Sequence, residues 1–228
     1  RSSDLITLRA GVSSIAKITD VVSQLRSSME AEVWYRPLVW MDYRLAVLFT
    51  VIMPLILLLW AFIQKAQTMQ RLLIIYWRVA SLLMVTVYLM IPGWAFGYLS
   101  GFFARVLIPT SLWFWADINE DLVDQPPRPL KFVFTAWRWA VTVYSSLGAI
   151  ANLPFFACAF SEEFQQQPYC QVWLEAPQLY KVWFHPNSTT SFLGILGMMG
   201  LIAYVASLAY FVIVQIGRAS CRERVYTK

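Results

Sequence analysis

Four carboxylates and two cations are the residues best suited to chemistry in this chain. Asp117, Glu120, Asp121 and Asp124 recur at i, i+3, i+4 and i+7, so a helix would carry them on one face. Hard oxygen ligands on one face suit Mg²⁺ or Ca²⁺. With Arg105 or Arg128 they could handle an anionic lipid or an isoprenoid phosphate. Acid-rich turns of membrane prenyltransferases hold diphosphates through Mg²⁺ in this manner, usually with a second acidic site, and this chain has no second one. The plainer expectation is a solvated helix end, with Asp117 and Glu120 paired to Arg128 or Lys131.

The remaining candidates are few. Cys158 and Cys170 stand twelve residues apart at the start of a polar loop. On a non-cytoplasmic side they could join in a disulfide, and otherwise they are two unrelated thiols. His185 is the single histidine, and one histidine builds neither a Cys₂His₂ nor any other zinc site. In Trp183, Phe184, His185, Pro186 it reads as an interfacial polar residue. No phosphate-binding glycine loop, nucleophile elbow or metalloprotease motif occurs. We expect no catalytic residue, no metal, no cofactor and no nucleic-acid partner.

The elements that must position these residues are membrane helices. The 228 residues are 59% hydrophobic and only 14% charged, and several apolar runs reach the roughly 20 residues that cross a bilayer core. The expectation is an all-α polytopic bundle of about five spans, near 45–63, 72–91, 93–116, 132–156 and 192–214. Residues 72–116 are too long for one span, and Pro92 with Gly93 marks the bend. Pro54 predicts a kink in the first span, its freed carbonyl satisfied by a neighbouring helix. Gly93, Gly97 and Gly101 form one small-residue stripe and Gly194 and Gly197 another, which lets helix backbones approach closely in lipid. None of these spans contains Asp or Glu, which disfavours ion-coupled transport. Arg105, near the middle of the third, either snorkels, binds a lipid phosphate, or signals that 93–116 is re-entrant and only four spans exist. Arg78 is expected to snorkel, and Trp34, Tyr35, Trp40 and Tyr43 to sit at headgroup level. Lys65, Arg71, Arg78, Arg128, Lys131 and Arg138 on one side, against Arg36, Arg44 and Lys181 on the other, place the first group in the cytoplasm.

Both ends look foreign. Residues 1–5 and 216–225 are encodable by the two strands of a common short-read sequencing adapter, so 1–5 and the tail 216–228 are expected to be its translation. Residues 6–28 form an uncertain extension, and Met29 is the expected start. Residues 6–215 carry 13 Lys and Arg against 11 Asp and Glu, and the membrane domain is set at 29–215.

The runs at 36–62, 71–83, 111–122, 134–144, 158–160, 168–181 and 192–205 resemble a cyanobacterial integral membrane protein family of unknown function. The resemblance covers about residues 29–215. It implies a bacterial inner or thylakoid membrane and a Cys158/Cys170 pair, and it implies no reaction. The functional expectation is therefore a non-catalytic packing or assembly partner, in contact with membrane lipids and a membrane-protein partner. The alternative is a membrane enzyme or carrier for an anionic lipid or isoprenoid phosphate at 117–124.

Overall fold

A computed structural model describes residues 34–226, without the side chains of Glu162, Val212 and 215–226. Residues 1–33, with the expected start at Met29, lie outside the described residues, as do the side chains of the tail. The chain divides after Leu38. Of the first unit, Trp34 and Tyr35 are described as an edge-on aromatic pair, followed by the opening turn of a helix. All that follows concerns the second unit, from Val39 onward.

The helices are α1 (Arg36–Ala46), α2 (Met53–Ile63), α3 (Gln67–Met90), α4 (Ala95–Trp113), α5 (Ala116–Val123), α6 (Pro129–Asn152), α7 (Ala157–Phe160), α8 (Glu162–Gln165), α9 (Pro168–Gln171), α10 (Glu175–Phe184) and α11 (Thr190–Tyr226). Five helices are long and apolar enough to cross a membrane: Arg36–Ile63, Gln67–Met90, Ala95–Trp113, Pro129–Phe160 and Thr190–Phe211. The protein is an all-α polytopic membrane bundle, and no strand occurs among the described residues. Ala95–Trp113 is one continuous helix, long and apolar enough to cross a membrane, which favours five spans over four with a re-entrant segment.

The first span differs most from its sequence-based bounds. It begins at Arg36, nine residues before Leu45, with Pro37 in its first turn. Proline lacks a backbone N–H and has a preset φ, so it favours a helix start. The extension draws Asp42 into the span. Residues 30–44 were expected as an interfacial lead with Trp40 among its headgroup-level rings, and Trp40 donates its indole N–H to Glu175 Oε2 on α10 at 2.8 Å.

Pro54 behaves as expected. It lacks the N–H that would take the Thr50 carbonyl, and the preceding turn widens into a π-helix over Val47–Ile52. The Tyr76 hydroxyl donates to Thr50 O at 2.8 Å and the Trp137 indole donates to Phe49 O at 2.9 Å. Lipid cannot satisfy these carbonyls, so α3 and α6 must. Tyr76 and Trp137 belong to the main core, with Leu72, Leu73, Ile108, Leu112 and Phe134.

Helix α3 is the centre of the bundle, and both glycine stripes pack on it. A Cβ on Gly97 would meet Met90 Cγ at 2.7 Å, and one on Gly101 would meet Thr86 at 3.3 Å. On α11, a Cβ on Gly194 would meet Pro92 at 2.7 Å, and one on Gly197 would meet Tyr88 at 3.0 Å. Gly93 is the exception to its stripe. It lies in the α3–α4 turn at φ 77°, and the pair Gly93 N→Met90 O and Trp94 N→Leu89 O closes α3 as a Schellman motif. The sequence also concealed polar glue between α3 and α4, where the buried Thr86 hydroxyl donates to Ser100 Oγ at 3.0 Å.

Candidate functional site

The acidic stretch folds as helix α5 with Asp124 at its C-terminal cap. Asp117, Glu120, Asp121 and Asp124 are all exposed, as is Arg128. Among the described residues none of the four pairs with Arg128 or Lys131. Lys131 instead donates its ammonium to Val123 O at 2.7 Å and Gln125 O at 2.6 Å, fastening the linker to α6. No group of three metal-ligating side chains occurs among the described residues. Arg105 is not with them.

Arg105 forms an ion pair with Asp42 of the first span. Its Nη1 donates to Asp42 Oδ1 at 3.2 Å and its Nη2 donates to Oδ2, a two-pronged geometry that fixes both planes. The Tyr144 hydroxyl of α6 donates to the same Oδ1 at 2.8 Å. The guanidinium carbon lies 5.6 Å from the Tyr144 ring centroid. The two side chains keep only 11% and 20% of their surface. A buried charge is costly alone and tolerable when paired and hydrogen-bonded. This corrects the expectation that the spans hold no carboxylate and that Arg105 snorkels or meets lipid.

Gly148 on α6 makes room for the pair, because any Cβ there would collide with Arg105 Nη1. No sequence signal marked Gly148 beyond its being a glycine inside a helix, which costs about 1 kcal/mol against alanine and so calls for a packing reason. Arg138, counted from sequence among the cytoplasmic cations, is also inside. It is 4% exposed, donates to Leu112 O at 3.0 Å and Asn119 Oδ1 at 2.7 Å, and lies 4.2 Å over the Trp113 ring. It ties α4 and α5 to α6.

The ion pair lines a cavity of about 400 Å³ between the first span, α3 and α4, roofed by Phe155, Phe156, Trp173 and Tyr180. The rest of its wall is mainly apolar, with Val47, Val51, Leu83, Met84 and Val87 against Thr50 and Ser81. Two indole N–H groups of this wall, Trp77 Nε1 and Trp173 Nε1, are buried with no hydrogen-bond partner. Both N–H groups are themselves closed off, so it is the ring carbons of these tryptophans that face the space. A pocket of this size, apolar with few polar groups, is the usual form of a small-molecule site.

The roof is held by a disulfide between Cys158 and Cys170. Both cysteines are fully buried with Met90, Tyr98 and Leu174. Tyr98 donates to Cys170 O at 3.0 Å, and Tyr43 donates to Trp173 O at 2.7 Å. Residues 161–191, expected as a loop, thus form short helices as far as Phe184, stapled over the cavity, and the first turn of α11 from Thr190. His185 ties the end of α10 to α3 through a 2.9 Å hydrogen bond with the Tyr88 hydroxyl. Burial, then Tyr88, pushes the Tyr180 hydroxyl up to about 12, so it stays protonated at ordinary pH.

Against the curated proteins and the solved structures the chain finds no match. A family model does match, over residues 36–222, from the first turn of the first span into the tail. The chain belongs to DUF3177, a family of proteins of unknown function.

Proposed function

We propose that this membrane protein is a non-catalytic holder of a lipophilic molecule bearing a hydrogen-bond-accepting oxygen, such as a quinone or ester carbonyl. The observation that carries this is a mainly apolar cavity with Arg105 on its wall, whose guanidinium has N–H donors beyond the two given to Asp42. The Asp42–Arg105 pair and Tyr144 keep the polar end of the cavity rigid. Nothing in the wall pairs a nucleophile with a base, so retention or delivery suits the residues better than turnover.

The membrane is a bacterial plasma or thylakoid membrane, in keeping with the resemblance of the runs at 36–62 and 192–205. The disulfide end faces the oxidising side and the Lys65 end the cytoplasm. Two independent features support this orientation. Disulfides persist on oxidising sides, and the opposite end carries Lys65, Arg71, Arg78, Arg128 and Lys131. A role as assembly partner has less support, because the glycines of both stripes pack within the chain.

The test is a thermal shift in mild detergent with a short-chain isoprenoid benzoquinone as probe. Wild type melts higher with the probe. Ala46→Phe, which puts a ring into the cavity one helical turn from Asp42, does not. An equal shift in both proteins contradicts the proposal.

A further inference from the structure

A second cleft, of about 320 Å³, opens at the other end of the bundle between residues 64–69 and 125–131. Its charged lining is Lys65, Arg128 and Lys131, with the amides of Gln64, Gln67 and Gln125 beside them and no carboxylate. The acids of α5 do not line it. Met69, Pro126 and Leu130 supply an apolar floor. The first turns of α3 and α6 both contribute to this wall, so two helix dipoles add positive potential to three cations.

Lys65 occupies an unusual backbone position. The bonds Lys65 N→Phe62 O and Ala66 N→Ala61 O close α2 as a Schellman motif, the same closure that Gly93 gives α3. At Lys65, however, φ is 55°. That left-handed position favours glycine, and a Cβ there costs about 1–2 kcal/mol. Glycine would fit this position better, and lysine places an ammonium at the cleft instead. Its side chain is exposed and makes no hydrogen bond or ion pair among the described residues, and the same holds for Arg128.

We propose that this cleft binds a phosphate-bearing anion at the membrane surface, with Lys65 and Arg128 as its principal ligands. Lys131 holds the Gln125 linker in place and turns its remaining N–H toward the same anion. Phosphate chemistry reaches the cleft from two sources, an anionic lipid headgroup or a free phosphate. A basic pocket between helix ends at the headgroup level suits the first, and its apolar floor accepts the glycerol edge.

The experiment uses the full-length protein in detergent, with phosphatidylglycerol, phosphatidylcholine and inorganic phosphate as probes. Native mass spectrometry reads lipid retention and thermal unfolding reads stability. Wild type retains phosphatidylglycerol roughly tenfold or more over phosphatidylcholine. Lys65→Gly with Arg128→Gln brings the two lipids to parity while the melting temperature does not fall, since glycine relieves the backbone. Arg71→Gln, an exposed cation outside the cleft, leaves the preference intact. Inorganic phosphate raising the wild-type melting temperature, and not the double variant's, assigns the site to free phosphate; an effect of phosphatidylglycerol alone assigns it to the headgroup. Equal preference in wild type and double variant, or an equal loss in Arg71→Gln, overturns the proposal.

Discussion

Helix α5 and the Asp42–Arg105 pair are two acidic regions of the molecule, and they are opposites. Helix α5 and its cap concentrate four carboxylates, all in the open and none held by a cation. The first span contributes one carboxylate, held by a guanidinium and a tyrosine hydroxyl beside an apolar cavity. Water screens the first group, and little is at stake if a charge there is lost. The second is locked by its surroundings, because an unpaired charge at that depth has no water to turn to. In a membrane protein, depth and partners make a site, while the density of charges in the sequence does not.

The sharpest way to break this contrast is to remove one half of the pair. Arg105→Leu strands Asp42 and is expected to destabilise the bundle by about 3–5 kcal/mol in thermal unfolding. Asp42→Asn combined with Arg105→Gln should recover part of that loss, because no charge is left unpaired. A recovery of zero would mean that the pair acts by shape alone.

The disulfide comes next, because it holds the roof on the cavity side. Replacing Cys158 and Cys170 together by serine is expected to cost about 3 kcal/mol, through the freedom regained by the unfolded loop. Proteolysis should then cut first within residues 161–189. Uniform protection of that segment would separate the roof from the disulfide.

Tyr76→Phe removes the donor that satisfies the carbonyl freed by Pro54. The expected loss is about 1–3 kcal/mol for a buried acceptor left bare, read by the same unfolding curve. Adding Pro54→Ala should return most of it, since the helix then satisfies its own carbonyl.

At the small end, Asp117→Asn with Asp121→Asn on α5 should each change stability by no more than about 0.5 kcal/mol. A loss matching that of Arg105→Leu would erase the distinction between the two regions.

Much of the architecture was legible because lipid leaves the chain few choices. Apolar length set the five spans, the Pro92–Gly93 pair set the α3–α4 turn, and the rule that no carbonyl goes bare foretold partners for Pro54. Asp42 was hidden by a boundary. The aromatic lead before Leu45 read as headgroup-level rings, whereas Pro37 starts the helix earlier and carries Asp42 inward. An unpaired Arg105 midway along a span was itself a signal, since such a charge demands a counter-ion from another helix. The cavity was not legible at all, because Trp77 and Trp173 are 96 positions apart in the chain and come to line one space only through packing. The fit of Gly148 to Arg105 has the same origin, and so does the closing of α2 by a lysine rather than a glycine.

The central claim is that the cavity beside Asp42 and Arg105 holds a carbonyl-bearing lipophile. The most direct measurement is mass spectrometry of the organic extract of purified wild type and Ala46→Phe, scaled to protein. We predict a lipophile with an acceptor oxygen approaching one per wild-type chain and strongly depleted in Ala46→Phe, whose disulfide and melting temperature remain those of a folded bundle. Equal extracts from the two folded proteins would contradict the account.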